Sequence, residues 1–162
     1  MDYKSRKKLR LDGYDYNSGG AYFVTVCTQN REPILGTIVG ADDHIGPQIN
    51  LTPIGAVVAK YTRTIPGIDS YVIMPNHVHM IIKISAKDPV EGPMWSSAPT
   101  NTSLVNLVRS WKTIISKELG ETIWQRSYYD HVVRDEHDYL KIMNYMQNNP
   151  AKWCEDKYYP GY

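Results

Sequence analysis

Apolar and polar positions along the chain change period several times, and each change marks an element. Residues 21–28, Ala-Tyr-Phe-Val-Thr-Val-Cys-Thr, are rich in β-branched and aromatic side chains and follow the turn formers Asn17-Ser18-Gly19-Gly20, which predicts a first strand. Residues 33–51 read as an irregular hairpin around Gly40-Ala41-Asp42-Asp43. Thr52 then caps a helix with Pro53 at its first position, running to about Ile65 and stopped by Pro66. Two apolar runs, Ile68 to Met74 and His77 to Ile84, are separated only by Pro75-Asn76, as in an antiparallel pair joined by a tight turn. Residues 85–102 carry Pro, Ser and Gly without a period and predict a mobile loop. Beyond it Ser103 caps a second helix. Its Leu104, Leu107, Val108, Trp111, Ile114 and Ile115 fall at helical spacing, and Gly120 closes it. Ile123 to Arg134 is a long strand candidate. Asp135 caps a third helix with an acidic first turn, which carries Leu140, Ile142, Met143, Tyr145 and Met146 and ends at Asn149-Pro150.

The order is β-α-β-β-α-β and then one further helix. This predicts an α+β fold of ferredoxin-like type, an antiparallel sheet with helices on one face plus a C-terminal helix. At 162 residues the chain suits one domain, 1–162, able to bury a core without disulfides. Hosting many unrelated functions, this architecture names none by itself.

Composition narrows the classes. Apolar residues make up 42% and charged residues 22%, which excludes a disordered or fibrous chain. No apolar stretch is long enough for a membrane span, and the N-terminus lacks the apolar core of a secretory signal, so the expectation is a soluble cytoplasmic protein without a membrane partner. Cys27 and Cys154 have no paired spacing, against a disulfide framework or a zinc site. A net charge of +1 does not announce a nucleic-acid partner. Its distribution says more: Lys4, Arg6, Lys7, Lys8 and Arg10 crowd an arm at 1–12, candidate phosphate contacts set against the commoner meaning of a solvated surface. Thirteen tyrosines and four tryptophans against one phenylalanine suit surfaces that stack on bases, although half-buried core positions account for most such residues.

Candidate chemistry centres on His77-Val78-His79. In a strand, residues i and i+2 share a face, so both imidazoles can reach one metal ion. On spacing alone, two hydrogen-bonded sheet histidines are the commoner meaning. On the last helix Tyr145 and Asn149 lie one turn apart on one face, a phenol and an amide that could supply a nucleophile and a ligand. Spacing alone also fits a core-edge tyrosine.

Five blocks carry a resemblance: Leu11-Asp12-Gly13-Tyr14-Asp15-Tyr16, the strand 22–28, Tyr71 to His79 with its Met-Pro-Asn-His-Val-His core, Trp124 to His131, and Tyr145-Met146-Gln147-Asn148-Asn149-Pro150. Together they resemble the HUH-type single-tyrosine transposases (insertion-sequence 200-like), and within them the REP-associated tyrosine transposase branch. The resemblance spans about residues 6–153. It implies metal-dependent cleavage and rejoining of single-stranded DNA, on hairpin-flanked sites, through a 5′-phosphotyrosine intermediate. His77 and His79 match the two metal-binding histidines, and Tyr145 matches the nucleophile in preference to Tyr128, Tyr129 and Tyr139. Asn149 stands where relatives place a polar third ligand. His131 is a candidate to support the metal ligands from behind, with a cross-strand structural role equally open. Imidazole, amide and water suit Mg²⁺ or Mn²⁺, the latter better matched to nitrogen. Relatives occur as dimers that share active sites and as monomers, which leaves a homodimer open. Three other readings stand beside this one: a domesticated hairpin-nicking protein that does not move itself, a catalytically idle nucleic-acid-binding module, and a metal hydrolase that uses water in place of Tyr145.

Overall fold

The computed structural model describes residues 19–40, 46–85 and 103–161. The basic arm with Lys4, Arg6, Lys7, Lys8 and Arg10, the 11–16 block, the hairpin tip at 41–43 and residues 86–102 of the expected mobile loop lie outside the described residues.

The elements run β1 (Gly20–Cys27), β2 (Gly36–Val39), β3 (Gln48–Leu51), α1 (Pro53–Thr62), β4 (Ile68–Met74), β5 (His77–Ile84), α2 (Leu104–Leu119), β6 (Tyr129–Val133) and α3 (Glu136–Asn148). Short 3₁₀ turns follow β1 at Gln29–Arg31 and α3 at Trp153–Glu155. The main sheet has the order β4-β5-β1-β6, antiparallel throughout, which is the ferredoxin-like arrangement expected from the element order. β2 and β3 pair separately as a hairpin.

Side-chain alternation decides what each sheet face does. Tyr22, Val24 and Val26 of β1 and Val78, Met80 and Ile82 of β5 point into the larger core, where α1 and α2 cover them with Val58, Val108, Trp111 and Ile115. Helix starts follow the expected caps. The Thr52 hydroxyl accepts from Gly55 N–H and Ser103 from Asn106 N–H, satisfying amides that the first turn leaves free. Gly120 ends α2 at φ 73°, a conformation glycine adopts without a Cβ penalty. On the opposite sheet face Phe23 and Ile81 meet Ile142 and Met146 of α3 in a smaller cluster. The last helix therefore lies across the face that carries the odd-numbered residues of β5.

One expected element is shorter. Strand pairing over Ile123 to Arg134 is confined to Tyr129–Val133, with Trp124 in an isolated bridge to Thr28. Ile123 and Trp124 are buried in succession, so the two-residue alternation of a strand fails there. Lys112 of α2 then donates to the carbonyls of Gln125, Arg126 and Ser127, and the segment turns aside before rejoining the ladder. Among the described residues no helix is long and apolar enough to cross a membrane.

Candidate active site

β5 begins directly after the Pro75-Asn76 turn, so its first inward residue on the α3 side is His77 and the next is His79. Both are fully buried. The turn residue Asn76 orients the first ring. Its Nδ2 donates to the carbonyls of Arg31 (3.0 Å) and Tyr158 (2.8 Å), which leaves Oδ1 facing His77 Nδ1 at 2.8 Å. An amide oxygen can only accept, so His77 carries its proton on Nδ1 and presents a lone pair at Nε2. His79 is held from the neighbouring strand by Thr25, whose Oγ1 lies 2.8 Å from Nδ1. The two Nε2 atoms converge to 3.0 Å. Burial pushes both imidazoles well below their usual range, and for His79 the neighbouring His77 adds to it. Two neutral, converging imidazole nitrogens, each oriented through its far nitrogen, match the pattern of metal-ligating histidines.

α3 brings the remaining groups. Tyr145 places its phenol oxygen 3.2 Å from His79 Nε2 and donates to Asp156 Oδ2 at 3.1 Å. Its ring meets Phe23 edge-on, with centroids 6.2 Å apart. Burial and the adjacent Asp156 carboxylate raise its pKa well above that of a free phenol, so the oxygen is protonated at rest. One turn on, Asn149 donates from Nδ2 to Asp156 Oδ2 at 2.7 Å, while its Oδ1 is buried with no hydrogen-bond partner among the described residues. Such an atom is costly unless something else meets it. The ligand atoms of His77, His79 and Asp156 lie within 4.8 Å of one another. Two nitrogens, a carboxylate and an orphaned amide oxygen form a donor set that fits a divalent cation, manganese better than magnesium on the nitrogen count.

The structure thus brings together four residues singled out by the sequence pattern: His77, His79, Tyr145 and Asn149. His131 faces the same side from β6, but its Nε2 pairs with Asp138 Oδ2 at 2.8 Å in the first turn of α3, tying it to helix docking. The competing tyrosines are engaged elsewhere: Tyr139 donates to Asp69, Tyr129 lies under Lys157, and Tyr128 packs beside Lys112. Asp156 escaped the sequence reading. It sits in the mixed-charge stretch Lys152 to Lys157, and only the chain reversal after Pro150 returns it to the histidines. A carboxylate a few residues beyond a Pro-terminated helix was the one available signal. Tyr158, from the same returning segment, packs on His77 with centroids 4.6 Å apart and caps the site. Beside Tyr145 a cavity of about 400 Å³ opens to the surface, with Lys141, Lys152 and Lys157 among its lining residues.

The family described as transposase, IS200-like, matches residues 21–149. An uncharacterized protein of Haemophilus influenzae is 35% identical over 175 residues, covering 95% of this chain and 93% of its own. The REP-associated tyrosine transposase of Escherichia coli is 25% identical over 138 residues, covering 85% of this chain and 70% of its own. A solved structure of a REP-associated tyrosine transposase bound to a REP hairpin aligns with a TM-score of 0.58 at 22% identity. That alignment covers 97% of this chain and 77% of the other.

Proposed function

The chain belongs to the IS200-like transposase family, enzymes that cut and rejoin DNA, and on that premise we propose that it acts on single-stranded DNA through Tyr145. One observation carries the reading: the Tyr145 oxygen stands 3.2 Å from His79 Nε2, inside a constellation of converging metal-ligand atoms. His77, His79 and Asn149, with the Asp156 carboxylate beside them, would hold a divalent ion. When bound, that ion supplies positive charge to polarise the scissile phosphate and offset charge that develops during transfer.

The residues of the chain do the rest. Asp156 Oδ2 already accepts the hydrogen bond of the phenol and takes its proton as the oxygen attacks phosphorus. A bond forms between the tyrosine oxygen and phosphorus, the bond from phosphorus to the 3′ oxygen breaks, and the departing 3′ oxygen takes a proton from solvent to leave as a hydroxyl. The 5′-phosphotyrosine keeps the energy of the broken phosphodiester, so a second 3′-hydroxyl, giving up its proton to solvent, can reverse the step without ATP. Asp156 then returns the proton to the phenol. Phe23, edge-on to Tyr145 and tilted on His79 at 5.1 Å, sets the distance between nucleophile and histidines. The open cavity beside Tyr145, with its lysines, offers one strand a route to the phenol. For substrate, the REP hairpin bound in the related REP-associated structure supports a hairpin, to which the single-strand reading adds an unpaired flank.

The test is direct. Protein is incubated with a hairpin carrying a single-stranded tail, with Mn²⁺ or with excess chelator, and run on a denaturing gel. A covalent adduct that needs the metal and disappears in Tyr145→Phe is expected. Cleavage at full rate in chelator would overturn the metal assignment, and cleavage without any adduct would point to a water-using hydrolase.

A further inference from the structure

A second cavity bearing cationic side chains, of about 650 Å³, lies on the other side of the sheet, between α2 and the irregular segment before β6. Arg109 and Lys117 of α2 and Arg126 of the facing segment line it, and among the described residues none of these side chains makes a hydrogen bond or ion pair. Lys112, at the same wall, is different. Its ammonium is spent on three carbonyls, which pins the 125–127 backbone and shapes the cavity. Tyr128, partly exposed, supplies aromatic surface, and Trp124, stacked on Trp111, forms the buried wall behind it. The Trp124 side chain is only 3% exposed, and its indole N–H is buried with no acceptor among the described residues. Unpaired cations around aromatic rings, with a spare donor, are the chemistry of an unpaired nucleotide flanked by phosphates.

Position strengthens the case. Tyr128 packs under Lys112 at the mouth of this cavity, and its neighbour Tyr129 lies under Lys157, which lines the catalytic cavity. Two consecutive tyrosines, each with a lysine over its ring, thus join the two cavities around the β6 edge of the sheet. Tyr129 is 40% exposed there, at the start of the edge strand β6, which pairs with β1 on its inner side and with no other described strand on its outer side.

We propose that the cavity between α2 and residues 121–128 is a second subsite for single-stranded DNA, filled by an unpaired stretch of the strand that reaches Tyr145, wrapped past Tyr129. The proposal rests on the reading of the chain as a single-strand cutter. The subsite sits away from the metal ligands, so it governs affinity and placement of the strand and leaves the chemical step to Tyr145.

Binding is measured by fluorescence anisotropy with a labelled mixed-sequence single strand of about 20 nucleotides, all in a Tyr145→Phe background so that nothing is cut. Triple replacement of Arg109, Lys117 and Arg126 by Ala is compared with a control that replaces Lys60 and Arg63, and urea midpoints check that both variants fold. Removing three phosphate contacts should lower the salt slope of binding by about 2 and weaken binding about tenfold or more at low salt. The control should bind like the parent. Unchanged affinity and slope in the triple variant would overturn the subsite. As a second readout, strands bearing 5-iodouracil should crosslink to the peptide containing Trp124 and Tyr128. Crosslinks confined to α3 and residues 153–159 would also overturn it. A Tyr145→Phe protein that still cuts would sink the catalytic reading instead, and the two failures are separable.

Discussion

Replacing Phe23 by leucine tests whether the nucleophile is positioned by ring contacts or merely happens to sit beside the histidines. Phe23 is 7% exposed and belongs to the small cluster that docks α3 on the sheet. Its ring lies edge-on to Tyr145 at 83° and 5.1 Å from the His79 ring, so one side chain spaces both reacting partners. Leucine keeps apolar burial at this position but loses both ring contacts. At about 0.5–1.5 kcal/mol each beyond area burial, the loss is about 1–3 kcal/mol. A domain of ordinary stability, about 5–15 kcal/mol, stays folded after that loss. Positioning is more sensitive, because a misplacement of about 1 Å can cost on the order of 100-fold in rate. Urea unfolding and single-turnover adduct formation at saturating DNA separate the two effects. The expected result is a modest drop in midpoint with adduct formation slowed about 10- to 100-fold. A destabilised variant that forms adducts at the wild-type rate refutes the reasoning, since the ring would then position nothing.

Three further outcomes follow from the same site. Thr25→Val removes the partner of His79 Nδ1 and should weaken Mn²⁺ binding about 10- to 100-fold by calorimetry with the fold retained; unchanged affinity would show that Thr25 orients nothing. Asp156→Asn removes the acceptor of the phenol proton and should slow adduct formation about 100-fold or more, whereas a rate within a few-fold of wild type would exclude a proton-accepting role. Burial holds the folded-state pKa of both histidines below the unfolded value near ~6.5, so the unfolded chain binds the extra protons in acid. Stability is therefore intact above about pH 6.5 and lost as pH falls toward the His77 value of about 4. Metal-free urea midpoints that stay level across that window would contradict the assignment.

How much of this was legible in the sequence depends on which forces act locally. β5 was legible because its alternation is clean: His77 and His79 on one face, Val78, Met80 and Ile82 on the other, with Pro75-Asn76 marking its start. The caps at Thr52, Ser103 and Asp135 were legible because a cap is a contact between residues three apart. The segment 123–128 was not. There Trp124 stacks on Trp111 of α2 with centroids 4.8 Å apart, and Lys112 captures backbone carbonyls, so tertiary contacts override a strand-like composition. The site shows the same division. Spacing put the histidines on one strand face and Tyr145 and Asn149 on one helix face, the family resemblance singled them out, and the chain brings them together. Asp156 and the orienting role of Asn76 depend on a chain reversal and on bonds spanning 82 residues, from Asn76 to Tyr158, which no local spacing reveals.

The central claim is that the Tyr145 oxygen becomes the covalent attachment point of DNA, and mapping the adduct tests it most directly. Trapped protein–DNA complexes are digested with protease and nuclease, and the nucleotide-bearing peptide is sequenced by mass spectrometry. The account predicts a 5′-phosphoryl nucleotide on Tyr145, within the α3 peptide, and none in Tyr145→Phe. A nucleotide on Tyr128, Tyr129, Tyr139 or Tyr158, or an adduct that survives Tyr145→Phe, would contradict it.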